Sequence, residues 1–124
     1  MKTYSFENLD VWQCSRKFAV AIYSITKTYP GEEKYGLVSQ MRRAAISISS
    51  NFAEGSAKHT GKEKARFTET AFGSLMELLN QIILSYDLEF IQEEDMFRLR
   101  TMVDEIAVKS SRLRESQLRM DKKS

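Results

Sequence analysis

The sequence predicts an all-α fold: an antiparallel four-helix bundle with up-down-up-down topology, in a single domain of residues 1–124. Only one proline and five glycines occur among the 124 residues, which permits long uninterrupted helices. Four segments, at about residues 8–28, 34–54, 61–87 and 93–118, repeat apolar residues at steps of three and four. The links between them are short, so consecutive helices are expected to run in opposite directions.

The first predicted helix carries a wide apolar band. Asn8 is expected to cap its first turn, and Asp10 is well placed for the helix dipole. The band consists of Leu9, Trp12, Ala19, Ile22, Tyr23 and Tyr29, widened by Val11, Phe18 and Ile25. Such width predicts burial against two neighbouring helices. Pro30 marks the end of the helix, since proline disfavours helical geometry in the residue before it.

The second predicted helix has two unlike stripes. The apolar stripe consists of Leu37, Met41, Ala44, Ile48 and Phe52. The other stripe is polar and mostly small, and it consists of Gly36, Gln40, Arg43, Ser47, Ser50 and Glu54. Small polar residues favour the close approach of another helix, so this helix is expected to pack on more than one side. Gly55 is expected to follow its last turn as the C′ residue.

The third and fourth helices have clear start signals. Thr60 and Glu63 have capping-box spacing, and Glu93, Glu94 and Asp95 place charges that the N-terminal dipole of helix four favours. Gly73 in the middle of helix three costs up to about 1 kcal/mol relative to alanine, which predicts a close backbone contact as compensation. The polar tail of residues 119–124 is expected to fray.

The predicted topology sorts charged residues by end, although the net charge of +2 is too mild to indicate a partner by itself. One end is expected to be acidic, with Glu32, Glu33, Asp87, Glu89, Glu93, Glu94 and Asp95. The opposite end is expected to be basic, with Lys2, Arg16, Lys17, Lys58, His59, Lys62, Lys64, Arg66, Arg112, Arg114, Arg119, Lys122 and Lys123. Dipole complementarity and solubility explain many of these charges without a ligand.

The start of helix three is different, because a helix dipole disfavours cations in its first turns. Lys62, Lys64 and Arg66 lie there, so they suggest contact with a nucleic-acid phosphate backbone, with solubility as the competing explanation. The candidate nucleic-acid-binding residues are Arg42, Lys58, Lys62, Lys64, Arg66, Arg112 and Arg119. The candidate oligomer-interface or structural-network residues are Gln40, Arg43, Ser47, Asn51, Glu54 and Gly73. For Arg43 a structural network is the preferred alternative to phosphate binding.

No catalytic motif is present in the sequence, so no enzyme activity, cofactor or metal is expected. The one histidine, His59, lies in a predicted loop and assembles neither a catalytic triad nor a di-iron site. Cys14 is the one cysteine, which excludes an internal disulfide and fits a reducing cytoplasm. Neither an export signal nor a membrane-spanning segment is visible.

The ordered motifs of the chain resemble a known family. The motifs are residues 6–12 (FENLDVW), 29–33 (YPGEE), 35–37 (YGL), 40–44 (QMRRA), 47–48 (SI), 51–55 (NFAEG) and 71–78 (AFGSLMEL). They resemble the bacterial four-helix-bundle proteins encoded in intervening sequences of 23S ribosomal RNA genes. That family is similar to the accessory variability proteins of diversity-generating retroelements, which look like barrel-shaped homopentamers that bind nucleic acid and a reverse transcriptase. Ser49 departs from the family pattern, where proline is common, and Phe52 stands where isoleucine is common.

The resemblance implies a homopentameric ring, in which a neighbouring subunit would cover the small polar stripe of helix two. The leading hypothesis is a cytoplasmic, non-enzymatic homo-oligomer whose basic end binds RNA or DNA. The alternative is a protein-protein interaction scaffold or accessory subunit without direct nucleic-acid contact.

Overall fold

The computed structural model describes residues 1–123, with backbone alone at Lys123. Among these residues there are four α-helices and no strands, which confirms the all-α prediction. The helices are α1 (Asp10–Thr26), α2 (Leu37–Ser56), α3 (Gly61–Asp87) and α4 (Glu93–Met120). Short 3-10 turns precede α1 at Ser5–Asn8, lie in the first link at Gly31–Glu33, and follow α4 at Asp121–Lys123. None of the described helices is both long and apolar enough to cross a lipid bilayer.

The core-facing side of α1 is centred on Val11, Phe18 and Ile22, all of which are buried. Leu9 is the N-cap residue of α1, so the prediction that Asn8 caps it was wrong. The buried side of α1 is also rotated relative to the predicted apolar band, because Tyr23, a member of that band, is exposed. Tyr23 has another partner, since the Arg42 guanidinium lies 4.5 Å from its ring centroid.

Helix α2 buries the predicted apolar stripe in the core, with Met41, Ala44, Ile48 and Phe52 almost inaccessible. Gly55 lies inside the last turn of α2 rather than after it, which corrects the C′ prediction. A Cβ atom at Gly55 would lie 2.8 Å from the Cβ of Phe67 on α3. Glycine is therefore needed here for close packing between α2 and α3.

Helix α3 begins with one half of the predicted capping box and is followed by a residue with a left-handed backbone. The Thr60 hydroxyl oxygen accepts a hydrogen bond from the Glu63 amide at 3.1 Å, as the capping-box spacing predicts. The Glu63 carboxylate accepts from the Thr60 hydroxyl rather than from the Thr60 amide. At the other end Glu89 has a left-handed backbone with φ of 65°, and the Phe90 amide donates to the Ser85 carbonyl at 2.9 Å. This is the Schellman geometry, with glutamate where glycine is usual.

The buried residues of all four helices form one hydrophobic core. At one end of the molecule the first and third links meet, since the ring centroids of Tyr29 and Phe90 are 5.3 Å apart. At the other end one hollow of about 260 Å³ is lined by side chains from the start of the chain, α2, α3 and α4. Its lining includes Leu9, Ser56, Lys64, Gln117 and Met120. We call this second end the cationic end, comprising residues 56–66 and 112–122.

Gly73 lies in an exposed part of α3, and a Cβ atom built there meets nothing within 4 Å. The predicted backbone contact at Gly73 is therefore not made among the described residues of this chain.

Candidate nucleic-acid interface

The carboxylate of Asp121 links the end of α4 to the start of α3 through two hydrogen bonds. Asp121 Oδ1 accepts from the Gly61 amide and Asp121 Oδ2 from the Lys62 amide, both at 2.8 Å. A carboxylate at this position also complements the positive end of the α3 dipole. The prediction that residues 119–124 fray was wrong for the described part, since α4 continues to Met120 and a 3-10 turn follows. Ser124 and the Lys123 side chain lie outside the described residues.

Helices α3 and α4 also pack closely next to these hydrogen bonds. A Cβ atom at Gly61 would overlap the backbone carbonyl oxygen of Gln117, so only glycine lets α4 approach α3 this closely. The Gln117 side chain is buried and accepts a 2.7 Å hydrogen bond from the Thr68 hydroxyl. Arg114 and Glu69 add an exposed ion pair, with Nε and Oε2 2.6 Å apart. Three kinds of contact therefore fix the relative position of α3 and α4 at the cationic end.

Two of the candidate phosphate-binding lysines have partners within the chain. Lys64 Nζ donates to the Ser56 carbonyl at 2.8 Å, and the Lys58 ammonium lies 5.1 Å from the ring centroid of Phe67. Both lysines thus lie beside the C-terminal turn of α2, where the helix dipole favours a cation. The α3 dipole disfavours Lys64, as the sequence indicates, but the bond of Lys64 to the end of α2 depends on tertiary packing and could not be predicted from the sequence.

Four other candidates are exposed, and within residues 1–123 their side chains have no hydrogen bond or ion pair. They are Lys62, Arg66, Arg112 and Arg119. Lys62 and Arg66 are four residues apart and therefore share a face of α3. Arg112 and Arg119 are seven residues apart and share a face of α4, on a different side from Arg114. The structure therefore places two exposed pairs of cations at one end.

Arg42 is not brought together with the other candidate residues. Its Nε donates to Thr26 Oγ1 at 3.0 Å, and Nη2 donates to the Tyr23 carbonyl at 3.3 Å. These contacts, together with the stacking on the Tyr23 ring, join α2 to the C-terminal turn of α1. Arg42 thus has a structural position, and its proposed phosphate contact stays a prediction.

The small polar stripe of α2 has a partner within the same chain. The hydroxyl oxygens of Ser47 and Ser74 are 2.8 Å apart, and Asn51 Nδ2 donates to the Ser47 carbonyl at 2.7 Å. The closely approaching helix at these positions is therefore α3. The remaining members of this candidate group, Gln40, Arg43, Glu54 and Gly73, are exposed.

A polar cluster between α1 and α4 was missed from the sequence. Cys14 Sγ donates to Glu105 Oε1 at 3.1 Å and accepts from Lys109 Nζ at 3.2 Å, while Lys109 also lies 2.8 Å from Asp10 Oδ2. Burial raises the pKa of the Cys14 thiol, and the hydrogen bond to Glu105 raises it further. The hydrogen bond from Lys109 holds the pKa of Glu105 below its usual value, while bonds to Asp10 and Glu105 raise the pKa of Lys109. The thiol is consequently protonated at neutral pH and is a poor nucleophile.

Among the described residues, no group of three or more histidine, cysteine, aspartate or glutamate side chains is arranged to hold a metal ion. The candidate site is a surface of exposed cations, namely Lys62, Arg66, Arg112 and Arg119.

The fold and this surface define the class of protein: a small four-helix protein with exposed cations at one end of the molecule. The chain belongs to the 23S rRNA-intervening sequence protein family, whose model matches residues 7–112. This match confirms the family resemblance noted from the sequence motifs. A search of curated proteins finds no match.

Proposed function

We propose that this chain is a non-enzymatic, cytoplasmic homo-oligomer whose cationic end binds RNA or DNA through the phosphate backbone. The observation that carries the proposal is the exposure of four cations from two helices at the same end, namely Lys62, Arg66, Arg112 and Arg119. Lysine and arginine contacts to phosphate give affinity and orientation with little sequence reading. Membership of the 23S rRNA-intervening sequence protein family is compatible with a nucleic-acid partner.

The proposal includes an antiparallel, up-down-up-down arrangement of the four helices. It is supported by contacts between the end of one helix and the start of another. Arg42 near the start of α2 contacts Thr26 at the end of α1, and Asp121 just after α4 contacts the first residues of α3. Alternation of direction explains why cations from distant parts of the sequence lie at one end.

The proposal also includes a homopentameric ring, which the family resemblance suggests. A ring would repeat the cationic end in every subunit, so several weak contacts would act together on one nucleic acid. Binding is therefore expected to be much weaker for a monomeric variant than for the assembled protein.

The test measures binding of fluorescently labelled structured RNA and duplex DNA at several salt concentrations. The logarithm of the binding constant should fall linearly with the logarithm of salt concentration. Arg66→Ala and Arg119→Ala should each weaken binding and reduce this slope by about one for every phosphate that the bound variant no longer neutralises. Arg100→Ala is the matched control, since Arg100 is an exposed cation of α4 that lies outside the cationic end.

The nucleic-acid proposal fails if the wild-type protein does not bind at low salt. It also fails if Arg66→Ala and Arg119→Ala bind as tightly as Arg100→Ala.

A protein-interaction scaffold is the second candidate function. It is favoured by one observation, the exposed aromatic side chain of Phe97, which is 74% accessible on α4. Large exposed aromatic side chains are common at protein interfaces. Purification from the native host distinguishes the two functions, because a scaffold would retain a stoichiometric protein partner after nuclease treatment.

A further inference from the structure

Basic and acidic residues are found on different helices as well as at different ends of the molecule. Between Phe67 and Phe97 the chain has seven acidic residues and no lysine or arginine. In α1 after Asp10, and in α2 before Glu54, every charged residue is basic. The stretch of α1 after Asp10 and the stretch of α2 before Glu54 therefore carry only positive charge, whereas α3 after Phe67 carries only negative charge.

The basic side has exposed apolar residues at its centre. Val20 on α1 is 67% accessible and Ile46 on α2 is 47% accessible. The contact of Arg42 with Tyr23 places α1 and α2 side by side, and Val20 and Ile46 each lie one turn from that contact. Val20 precedes Tyr23 in α1, and Ile46 follows Arg42 in α2. Because α1 and α2 are antiparallel in the proposed arrangement, both residues lie on the same side of the contact between Arg42 and Tyr23 and therefore near each other. We call this surface the α1-α2 face, comprising Lys17, Val20, Arg43, Ile46 and Ser50.

The outward side of α3 has the complementary composition. Phe72, Met76 and Leu84 are 41%, 36% and 44% accessible, and the exposed charge between them is Glu77. Together with Gly73 they define the α3 face. Phe72 and Met76 are four residues apart, and Leu84 follows Met76 after two further steps of four, so the three lie along one side of α3 that another helix can cover.

Gly73 gives this face a second distinctive property. Glycine in a helix interior is less favourable than alanine, and no contact among the described residues compensates for it here. The missing side chain leaves the backbone of α3 open to close approach from outside the chain.

We propose that the α1-α2 face of one copy of this chain packs against the α3 face of the next copy. The inference rests on the homo-oligomer of the proposed function and specifies which surfaces form it. Each face has an apolar centre, and the charges around the two centres have opposite sign. Packing a face against its own copy would bring like charges together, so a head-to-tail contact is favoured over a two-fold one. Head-to-tail contacts form a ring when the rotation between successive copies closes, as the proposed pentamer requires, and an open filament when it does not.

The experiment uses two variants of the full chain, Ile46→Asp and Met76→Asp, which each place a carboxylate in one face. Each variant alone should be monomeric by light scattering and native mass spectrometry. An equimolar mixture should form a heterodimer, because the intact α1-α2 face of Met76→Asp meets the intact α3 face of Ile46→Asp. Val108→Asp is the matched control, since Val108 is 50% accessible on α4 and belongs to neither face, and it should assemble like the wild type.

The outcomes separate this inference from the proposed function. A monomeric wild-type protein overturns both. A wild-type oligomer that still forms with Ile46→Asp or Met76→Asp overturns only the assignment of faces, as does a mixture that gives no heterodimer. Circular dichroism confirms that each variant is folded, and Val20→Asp replaces Ile46→Asp if that variant is not. An oligomer that persists in Val20→Asp likewise overturns the assignment.

Discussion

Replacing Asp121 with alanine removes two hydrogen bonds that a single carboxylate accepts from the start of α3, each 2.8 Å long. Loss of a helix-capping side chain costs about 0.5 to 2 kcal/mol. Thr60 still caps the Glu63 amide in this variant, but Gly61 is buried, so its amide is poorly placed to bond water instead. We therefore expect the free energy of unfolding to fall by about 1 to 2 kcal/mol. For a chain of this length the midpoint of thermal unfolding would drop by about 4 to 8 °C.

Urea unfolding followed by circular dichroism measures this change, at one fixed protein concentration because assembly alters apparent stability. Asp121→Asn should lose less than Asp121→Ala, since the amide oxygen still accepts one of the two hydrogen bonds. Asp104→Ala, an exposed aspartate of α4 away from this contact, should stay within about 0.5 kcal/mol of the wild type. If Asp121→Ala is as stable as Asp104→Ala, the carboxylate does not hold the two helices together.

Four further outcomes are expected, and urea unfolding measures the first three. Gly61→Ala should destabilise the protein by about 1 to 3 kcal/mol, because the new methyl group overlaps a backbone carbonyl of α4. Glu89→Gly should stabilise it by about 0.5 to 1 kcal/mol by relieving a left-handed backbone, and an unchanged midpoint would contradict this. Arg42→Ala should cost about 1 to 2 kcal/mol of stability because it removes the contacts with α1, and unchanged stability would contradict this; nucleic-acid affinity within about twofold of the wild type would contradict the phosphate contact predicted from the sequence. Alkylation of Cys14 should be half-maximal at a pH above the thiol's ordinary pKa, and Glu105→Gln should lower that pH; a midpoint at or below the ordinary value would refute the burial argument.

The raised pKa of Cys14 also predicts a direction for stability against pH. A thiol with a raised pKa holds its proton more tightly in the folded than in the unfolded chain. Its contribution to stability is therefore complete below the unfolded pKa and is lost as pH rises through the folded one.

Local sequence signals predicted most of the fold. The apolar stripe of α2 is buried and Thr60 caps α3, because periodicity and capping depend on residues within a few positions of each other. The rotation of α1 was missed because the apolar pattern gives weight to aromatic rings. Tyr23 instead lies under Arg42, and Trp12 packs on Phe6 with ring centroids 4.9 Å apart.

The candidate site was predicted less completely, because its partners are distant in the sequence. That the start of α3 and the end of α4 share one end followed from the short links. Two contacts depend instead on the register between neighbouring helices. They are the bond of Lys64 to the end of α2 and the capping of α3 by Asp121. A list of charges along the chain contains no information on that register.

The separation between Asp121 and the amides that it caps has a consequence for biosynthesis. Helix α3 begins at Gly61, and its fastening residue is made 60 positions later. A nascent chain therefore has a complete α3 sequence whose first turn lacks this carboxylate while the ribosome translates residues 88–120. A chain that stops before residue 119 has Lys62 without Arg119 and therefore cannot present the two cations together.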